Sequence, residues 1–174
     1  MHNMKHLIPS FISLLRILCA PLFYFVFLNS TCLASFIIFI FAALTDIADG
    51  ITARKLSVSS KFGAYADVFS DFILIIAVFL AFTQKHWYCI FIFIPIGASF
   101  VNFLISSGIK EPVYDPLGKY TGAIIMLIIV ITLLIPHVII RKICTYTLSL
   151  YFIISTVYRI YYLKKHKRQA LKSV

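Results

Sequence analysis

Charged side chains are scarce in this sequence, and acidic ones are the scarcest. Only 13% of the 174 residues are Asp, Glu, Lys or Arg, and just six are acidic, whereas soluble domains carry about 25% charged residues. Hydrophobic residues make up 61% of the chain, and the mean hydropathy is +0.99. This balance excludes an ordinary soluble domain and predicts a single membrane domain, residues 1–174, with several spans.

Cysteine pairs and nucleic-acid-binding patterns are also missing. The four cysteines lie far apart and none forms a C-x-x-C pair, which leaves them as small apolar residues. The net charge of +10 comes from Lys and Arg at the ends of apolar segments, where membrane proteins place them beside anionic headgroups. We therefore expect contact with membrane lipids, including by the basic tail 164–174, and no contact with nucleic acid.

Three long stretches, 17–45, 87–109 and 120–140, lack charged residues altogether. A helix rises about 1.5 Å per residue, so each can cross about 30 Å of hydrocarbon. Asn29-Ser30-Thr31 interrupts the first stretch and predicts a tight turn between two spans. The predicted fold is an all-α integral membrane protein with six transmembrane helices and a short N-terminal interfacial segment, 6–10, bent by Pro9. The predicted helices are 12–28, 33–53, 62–84, 88–108, 119–137 and 143–163.

The distribution of Lys and Arg predicts the orientation of these spans. If the N-terminus is cytoplasmic, 13 of the 16 basic residues fall on the cytoplasmic side and three on the other, as the positive-inside bias requires. Both termini should then be cytoplasmic, and the turns at 29–32, 84–87 and 136–142 should face outward. Trp87 and Tyr88 should contribute to an aromatic belt at the outer interface.

Four of the six acidic residues, Asp46, Asp49, Asp67 and Asp71, fall within 26 residues, inside or at the ends of apolar helices. Carboxylates at such depth are costly and mark a partner, a cavity or an ion path. Asp46 and Asp49 are three residues apart and Asp67 and Asp71 four apart, so each pair shares a helix face. Because the two helices form an antiparallel hairpin, the two faces can converge.

Four converging carboxylates need compensating cations. Hard divalent ions prefer oxygen ligands, so the set favours Mg²⁺ or Mn²⁺, and two ions would balance four carboxylates. The guanidinium of Arg54, near the cytoplasmic end of the same hairpin, suits phosphate oxygens. Three small residues beside the acidic faces leave room for a ligand or for close helix packing. They are Gly50, Ala53 and Gly63.

Residues 46–71 resemble the signature of the CDP-alcohol phosphotransferases, D-x2-D-G-x2-A-R-x8-G-x3-D-x3-D. All eight fixed positions are present. The resemblance extends to the N-terminal part, where the family often has Pro-Asn-x-x-Thr followed by an Arg and a Pro. The corresponding residues are Pro9, Ser10, Ser13, Arg16 and Pro21, with Ser replacing both Asn and Thr.

The resemblance implies a reaction in which a CDP-linked donor meets an acceptor hydroxyl, the phosphoryl-alcohol group is transferred, and CMP leaves. Asp46, Asp49 and Asp67 would ligate metal, and Asp71 would ligate metal and act as general base. The residues that it assigns to the nucleotide and its diphosphate are Gly50, Ala53, Arg54, Ser60, Gly63, Ser10 and Ser13. It further implies a homodimer in a bacterial or archaeal inner membrane, with the active site facing the cytoplasm.

The expected donor is CDP-diacylglycerol, and the leading acceptor is glycerol 3-phosphate. Candidate acceptor-binding cations are Lys110, Lys119 and Arg159. Phosphatidylglycerophosphate synthases commonly have Pro after the third Asp and Lys after the fourth, where this chain has Val68 and Phe72. The fourth helix offers only uncharged polar residues, including Ser99, which suits an uncharged or zwitterionic acceptor. Inositol phosphate, serine or another headgroup stays open as acceptor. A divalent-cation transporter is the alternative of a different class.

Overall fold

The computed structural model describes residues 4–56, 61–108 and 116–170, with side chains over 15–45, 67–101 and 120–158. These residues form six α-helices and one short 3-10 helix, Ile90–Ile92, and contain no β-strand. The helices are α1 Met4–Asn29, α2 Cys32–Leu56, α3 Lys61–Gln84, α4 Phe93–Gly108, α5 Pro116–Leu134 and α6 Val138–Ala170. Each predicted span thus has a helix, and the all-helical prediction is confirmed.

Two of the described helices contain a stretch long and apolar enough to cross a membrane, Asp67–Gln84 in α3 and Val138–Tyr158 in α6. Shorter apolar stretches occupy the other helices, at Leu15–Asn29, Cys32–Thr45, Ile90–Val101 and Tyr120–Leu134. Six transmembrane spans therefore stay a prediction, whereas six apolar helical segments are observed.

The N-terminal part differs from the prediction. Residues 6–10 do not form a separate segment but continue into α1, which runs unbroken from Met4 to Asn29. Pro9 lies close enough to the helix start that it removes a single backbone hydrogen bond near an end that is already incompletely bonded. The predicted turn at 29–31 is confirmed: the amide of Ala34 donates to Thr31 Oγ1 at 3.3 Å and so caps α2.

Prolines explain most of the shifted boundaries in the second half. α4 begins at Phe93 and not at residue 88, with Pro95 in its first turn, where a missing amide hydrogen is tolerated. Pro116 starts α5, and Pro136 lies in the break after Leu134. α6 is longer than predicted at both ends, spanning 33 residues or about 50 Å, and it includes the predicted tail residues 164–170.

α1 packs along both α2 and α3, and α5 packs on α2 and α6. An aromatic cluster fills the core of the first three helices, where Phe23, Phe27 and Phe82 meet mainly edge to face. Tyr88 is 5% exposed and its hydroxyl lies 2.6 Å from Thr132 Oγ1 on α5. Its predicted place in an aromatic belt at the outer interface is therefore wrong, because the side chain is buried and its hydroxyl is hydrogen-bonded to α5.

The C-terminus of α3 ends in a Schellman motif. The amide of Trp87 donates to Phe82 O and that of His86 to Thr83 O, which is the paired bonding of that cap. His86 has φ 57°, a left-handed conformation that glycine usually provides. The Trp87 ring stacks on Phe82 and receives the guanidinium of Arg141 at 4.6 Å, so this turn ties α3 to α6.

Candidate functional site

α3 places two of the four predicted carboxylates on one face. Asp67 and Asp71 are one turn apart on a continuous helix, so their side chains project in the same direction. They are half-buried, with exposed fractions of 37% and 29%. Ser70, the one polar residue between Asp67 and Asp71 in the sequence, is buried, and its hydroxyl donates to the backbone carbonyl of Asp67 at 2.8 Å. Its burial therefore leaves no unpaired hydroxyl.

The cation that faces these carboxylates comes from α1. Arg16 is fully buried, and its Nη2 donates to Asp67 Oδ1 at 2.7 Å. Its Nη1 donates to Asp71 Oδ1 in a second hydrogen bond. One guanidinium group thus joins both carboxylates, which are 51 and 55 residues away in the sequence.

Arg16 lies at the candidate site, where the sequence did not predict it. The N-terminal resemblance includes Arg16 and the positive-inside bias places it on the cytoplasmic side, but neither gives it a role at the site. A signal was present, because Arg16 is the last charged residue before the uncharged stretch 17–45. A charge in that position suits the headgroup interface as well as a buried partner, so the sequence did not indicate the carboxylates that Arg16 meets.

Most of the other predicted site residues lie on described helices, but their side chains fall outside the described residues. Asp46, Asp49, Gly50, Ala53 and Arg54 are on α2, and Gly63 is on α3. Ser10 and Ser13 are on α1, Lys119 on α5, and Arg159 on α6. Ser60 and Lys110 lie outside the described residues. Convergence of the four aspartates therefore stays a prediction, and the structure brings together Asp67, Asp71 and Arg16.

A cavity of about 290 Å³ opens beside Asp71, between α3, α4 and α5. Its wall is mainly apolar, and the polar residues of its lining are Asp71, Ser99 and Thr121. The apolar lining residues are Val68, Phe72, Ile75, Ile96, Phe100, Gly122 and Ile125. Phe72 stacks on Phe100 with ring centroids 3.9 Å apart. The two residues that depart from the phosphatidylglycerophosphate synthase pattern, Val68 and Phe72, both line this cavity.

The donor chemistry of the pair suits a hard divalent cation. Carboxylate oxygens are the preferred ligands of Mg²⁺ and Mn²⁺. Each carboxylate has two oxygens with about four lone-pair directions, so the hydrogen bonds from Arg16 do not exhaust it. In the part of the chain whose side chains are described, no third acidic, His or Cys side chain completes a cluster. The predicted further ligands, Asp46 and Asp49, lie outside that part.

Comparison with protein families gives one assignment for most of the chain. The family model described as CDP-alcohol phosphatidyltransferase matches residues 6–160. The match includes the signature 46–71, both described aspartates, and Arg16 on α1.

Individual relatives carry a more specific name. A Wigglesworthia glossinidia brevipalpis protein called CDP-diacylglycerol--glycerol-3-phosphate 3-phosphatidyltransferase is 36% identical over 107 residues, which are 60% of this chain and 58% of that protein. The protein of the same name from Escherichia coli strain K12 is 30% identical over 119 residues, 67% of this chain and 64% of that protein. The chain thus spans less than two thirds of the length of these relatives.

Proposed function

Because the chain belongs to the CDP-alcohol phosphatidyltransferase family, we propose that it transfers a phosphatidyl group from CDP-diacylglycerol to an alcohol and releases CMP. The observation that supports this most is the pair of carboxylates on one face of α3, with a cavity open beside Asp71. A base that borders a cavity can meet a substrate hydroxyl there, which is the geometry that general base catalysis requires.

In the proposed step, the acceptor hydroxyl lies against Asp71. The Asp71 carboxylate accepts the hydroxyl proton while the hydroxyl oxygen forms a bond to the phosphorus of the phosphatidyl group. The bond from that phosphorus to the bridging diphosphate oxygen breaks, and this oxygen leaves with CMP. Positioning the base and the hydroxyl together contributes about 10²- to 10⁴-fold to rates of this kind.

We assign metal binding to Asp46, Asp49, Asp67 and Asp71, as the sequence predicts. When bound, Mg²⁺ or Mn²⁺ would neutralise the diphosphate and the charge that develops on the leaving CMP. Arg54, Gly50, Ser60 and their neighbours in the signature stay our candidates for the nucleotide.

Glycerol 3-phosphate is the proposed acceptor, because the relatives bear its name. The hydroxyls of Ser99 and Thr121 suit the hydroxyls of a polyol. The phosphate of this acceptor needs cations, and Lys119, which is two residues before Thr121, is the best placed candidate, with Arg159 and Lys110 after it. Val68 and Phe72, which line the cavity, depart from the phosphatidylglycerophosphate synthase pattern. The acceptors to be tested therefore include inositol phosphate, serine and other alcohols.

We also propose that the enzyme is an integral protein of a bacterial inner membrane with the aspartates towards the cytoplasm. The two long apolar stretches of α3 and α6 support membrane insertion, and the 13 to 3 distribution of basic residues supports the orientation. Cysteine labelling from outside would test it, using Cys89, an exposed native thiol that follows the predicted outer turn at 84–87.

The direct test is CMP release by purified protein with Mg²⁺, CDP-diacylglycerol and each acceptor in turn. We expect CMP with glycerol 3-phosphate and none without acceptor or without divalent cation. Release with serine or an inositol phosphate alone would keep the reaction and replace the acceptor. No CMP with any acceptor, together with aspartate-dependent ion flux into vesicles, would instead support the transporter.

Asp71→Asn tests the role of the base. The change removes the proton acceptor while nearly preserving shape, so we expect at least about a 100-fold loss of CMP release with nucleotide binding largely retained. Thr83→Val is the matched control, since Thr83 is on the same helix and its hydroxyl bonds only locally, to Leu80 O. Near-normal turnover by Asp71→Asn would remove Asp71 from the role of base.

A further inference from the structure

Burial of Arg16 is the unusual feature at the site. A guanidinium group with no exposed surface loses its hydration, and a buried charge is tolerated only when partners replace the water. The two carboxylates of α3 supply that replacement. Arg16 is thus placed by the packing of α1 on α3, and its partners are two of the residues on which the proposed reaction depends.

The bonding uses the shape of the guanidinium and not only its charge. Nη2 serves Asp67 and Nη1 serves Asp71, so two nitrogen atoms of one rigid plane hold carboxylates that are one helical turn apart. Each carboxylate loses freedom to rotate, and the repulsion between the two is reduced. A lysine would bring the same charge, but its ammonium is a point on a flexible stem and lacks the fixed fork.

We propose that Arg16 is the positioning residue of this enzyme, which holds the side chains of Asp67 and Asp71 in the orientation that the acceptor hydroxyl and the cation require. This inference rests on the proposed function. It adds a side chain of α1 to an acidic cluster that the sequence assigned to α2 and α3. Misplacement of a reacting group by about 1 Å can cost on the order of 100-fold in rate, so a loosened pair should lower turnover strongly.

The experiment compares Arg16→Lys with Arg16→Gln in CMP release, donor binding and thermal unfolding in detergent. For Arg16→Gln we expect a loss of kcat of about 100-fold per folded protein and a lower Tm, because two half-buried carboxylates lose their cation. For Arg16→Lys we expect most of the Tm to return while kcat stays about 10-fold below that of the unchanged protein. KM for CDP-diacylglycerol should change less than threefold in both variants.

Thr132→Val is the control for lost stability alone. Thr132 is on α5 and is buried against Tyr88, beyond the C-terminal end of α3, whereas Asp67 and Asp71 lie in the N-terminal half of α3. Thr132→Val should therefore lower Tm without changing kcat per folded protein. Full kcat in Arg16→Lys would show that charge suffices and would overturn the positioning role. A kcat loss in the Arg16 variants that merely follows the folded fraction would overturn it too. If the unchanged protein releases no CMP, the proposed function fails first, and the two failures are thereby distinguished.

Discussion

The buried pair Tyr88 and Thr132 allows a quantitative prediction, because the direction of its hydrogen bond can be deduced. Thr132 Oγ1 donates to Ile128 O at 2.7 Å, and a hydroxyl has a single proton. Thr132 must therefore accept, and Tyr88 donates, in the 2.6 Å contact between them. The two partners consequently lose different things when each is removed.

Thr132→Val leaves the Tyr88 hydroxyl buried without its oxygen acceptor, which costs about 1–3 kcal/mol. Because the Tyr88 side chain is almost fully buried, water cannot readily replace this acceptor, and we expect about 2 kcal/mol. Tyr88→Phe leaves Thr132 still bonded to Ile128 O, and about 1 kcal/mol or less should be lost. In a chain of this size 1 kcal/mol shifts Tm by roughly 2–4 °C, so thermal unfolding separates the two variants. A Tyr88→Phe variant less stable than Thr132→Val would refute the assigned direction.

The pH dependence gives a second measurement of the same pair. Burial is the main cause that raises the pKa of Tyr88 to about 12, above the value of about 10 in unfolded chains. The folded state therefore keeps its proton longer than the unfolded state does. The stability from this group is fully present below about pH 10 and is lost as pH rises towards 12, by roughly 2–3 kcal/mol in total. Tyr88→Phe should remove this part of the alkaline loss.

Two further predictions concern glycine. His86→Gly should raise Tm by roughly 2–4 °C, since it relieves about 1 kcal/mol of left-handed strain at φ 57°. His137→Gly is the control, because residue 137 has no positive φ, and it should give no gain in Tm. An equal gain in both variants would show that relief of left-handed strain is not the cause. Gly122→Leu should raise the acceptor KM several-fold, because Gly122 lines the cavity and the new side chain would fill it. Gly97→Leu is the control: a Cβ also meets open space there, but Gly97 does not line the cavity, so the acceptor KM should not change. Equal effects of the two variants would show that the acceptor does not bind in this cavity.

The described half of the candidate site was predictable where it depends on helical spacing. Asp67 and Asp71 share a face because four residues nearly complete a turn, and this holds whatever the helix packs against. Tyr88 could not be predicted in the same way. Its burial depends on a hydroxyl of α5 lying opposite the turn after α3, and an aromatic residue near an apolar segment suits an interface equally well.

The position of Arg16 shows most directly why the rest of the site escaped prediction. Charge balance indicates that clustered carboxylates need cations, and the sequence favours metal ions because the acidic residues of α2 and α3 have no basic partner at a fixed helical spacing. Which helix lies against α3 is set by side-chain packing over the whole contact, here the interlocked rings of Phe23, Phe27 and Phe82. That packing fixes the rotation of α1 and, seven residues before Phe23, directs Arg16 at the carboxylates. The aromatic core and the chemistry of the site are therefore coupled through one helix, so core substitutions that rotate α1 should impair turnover before they unfold the protein.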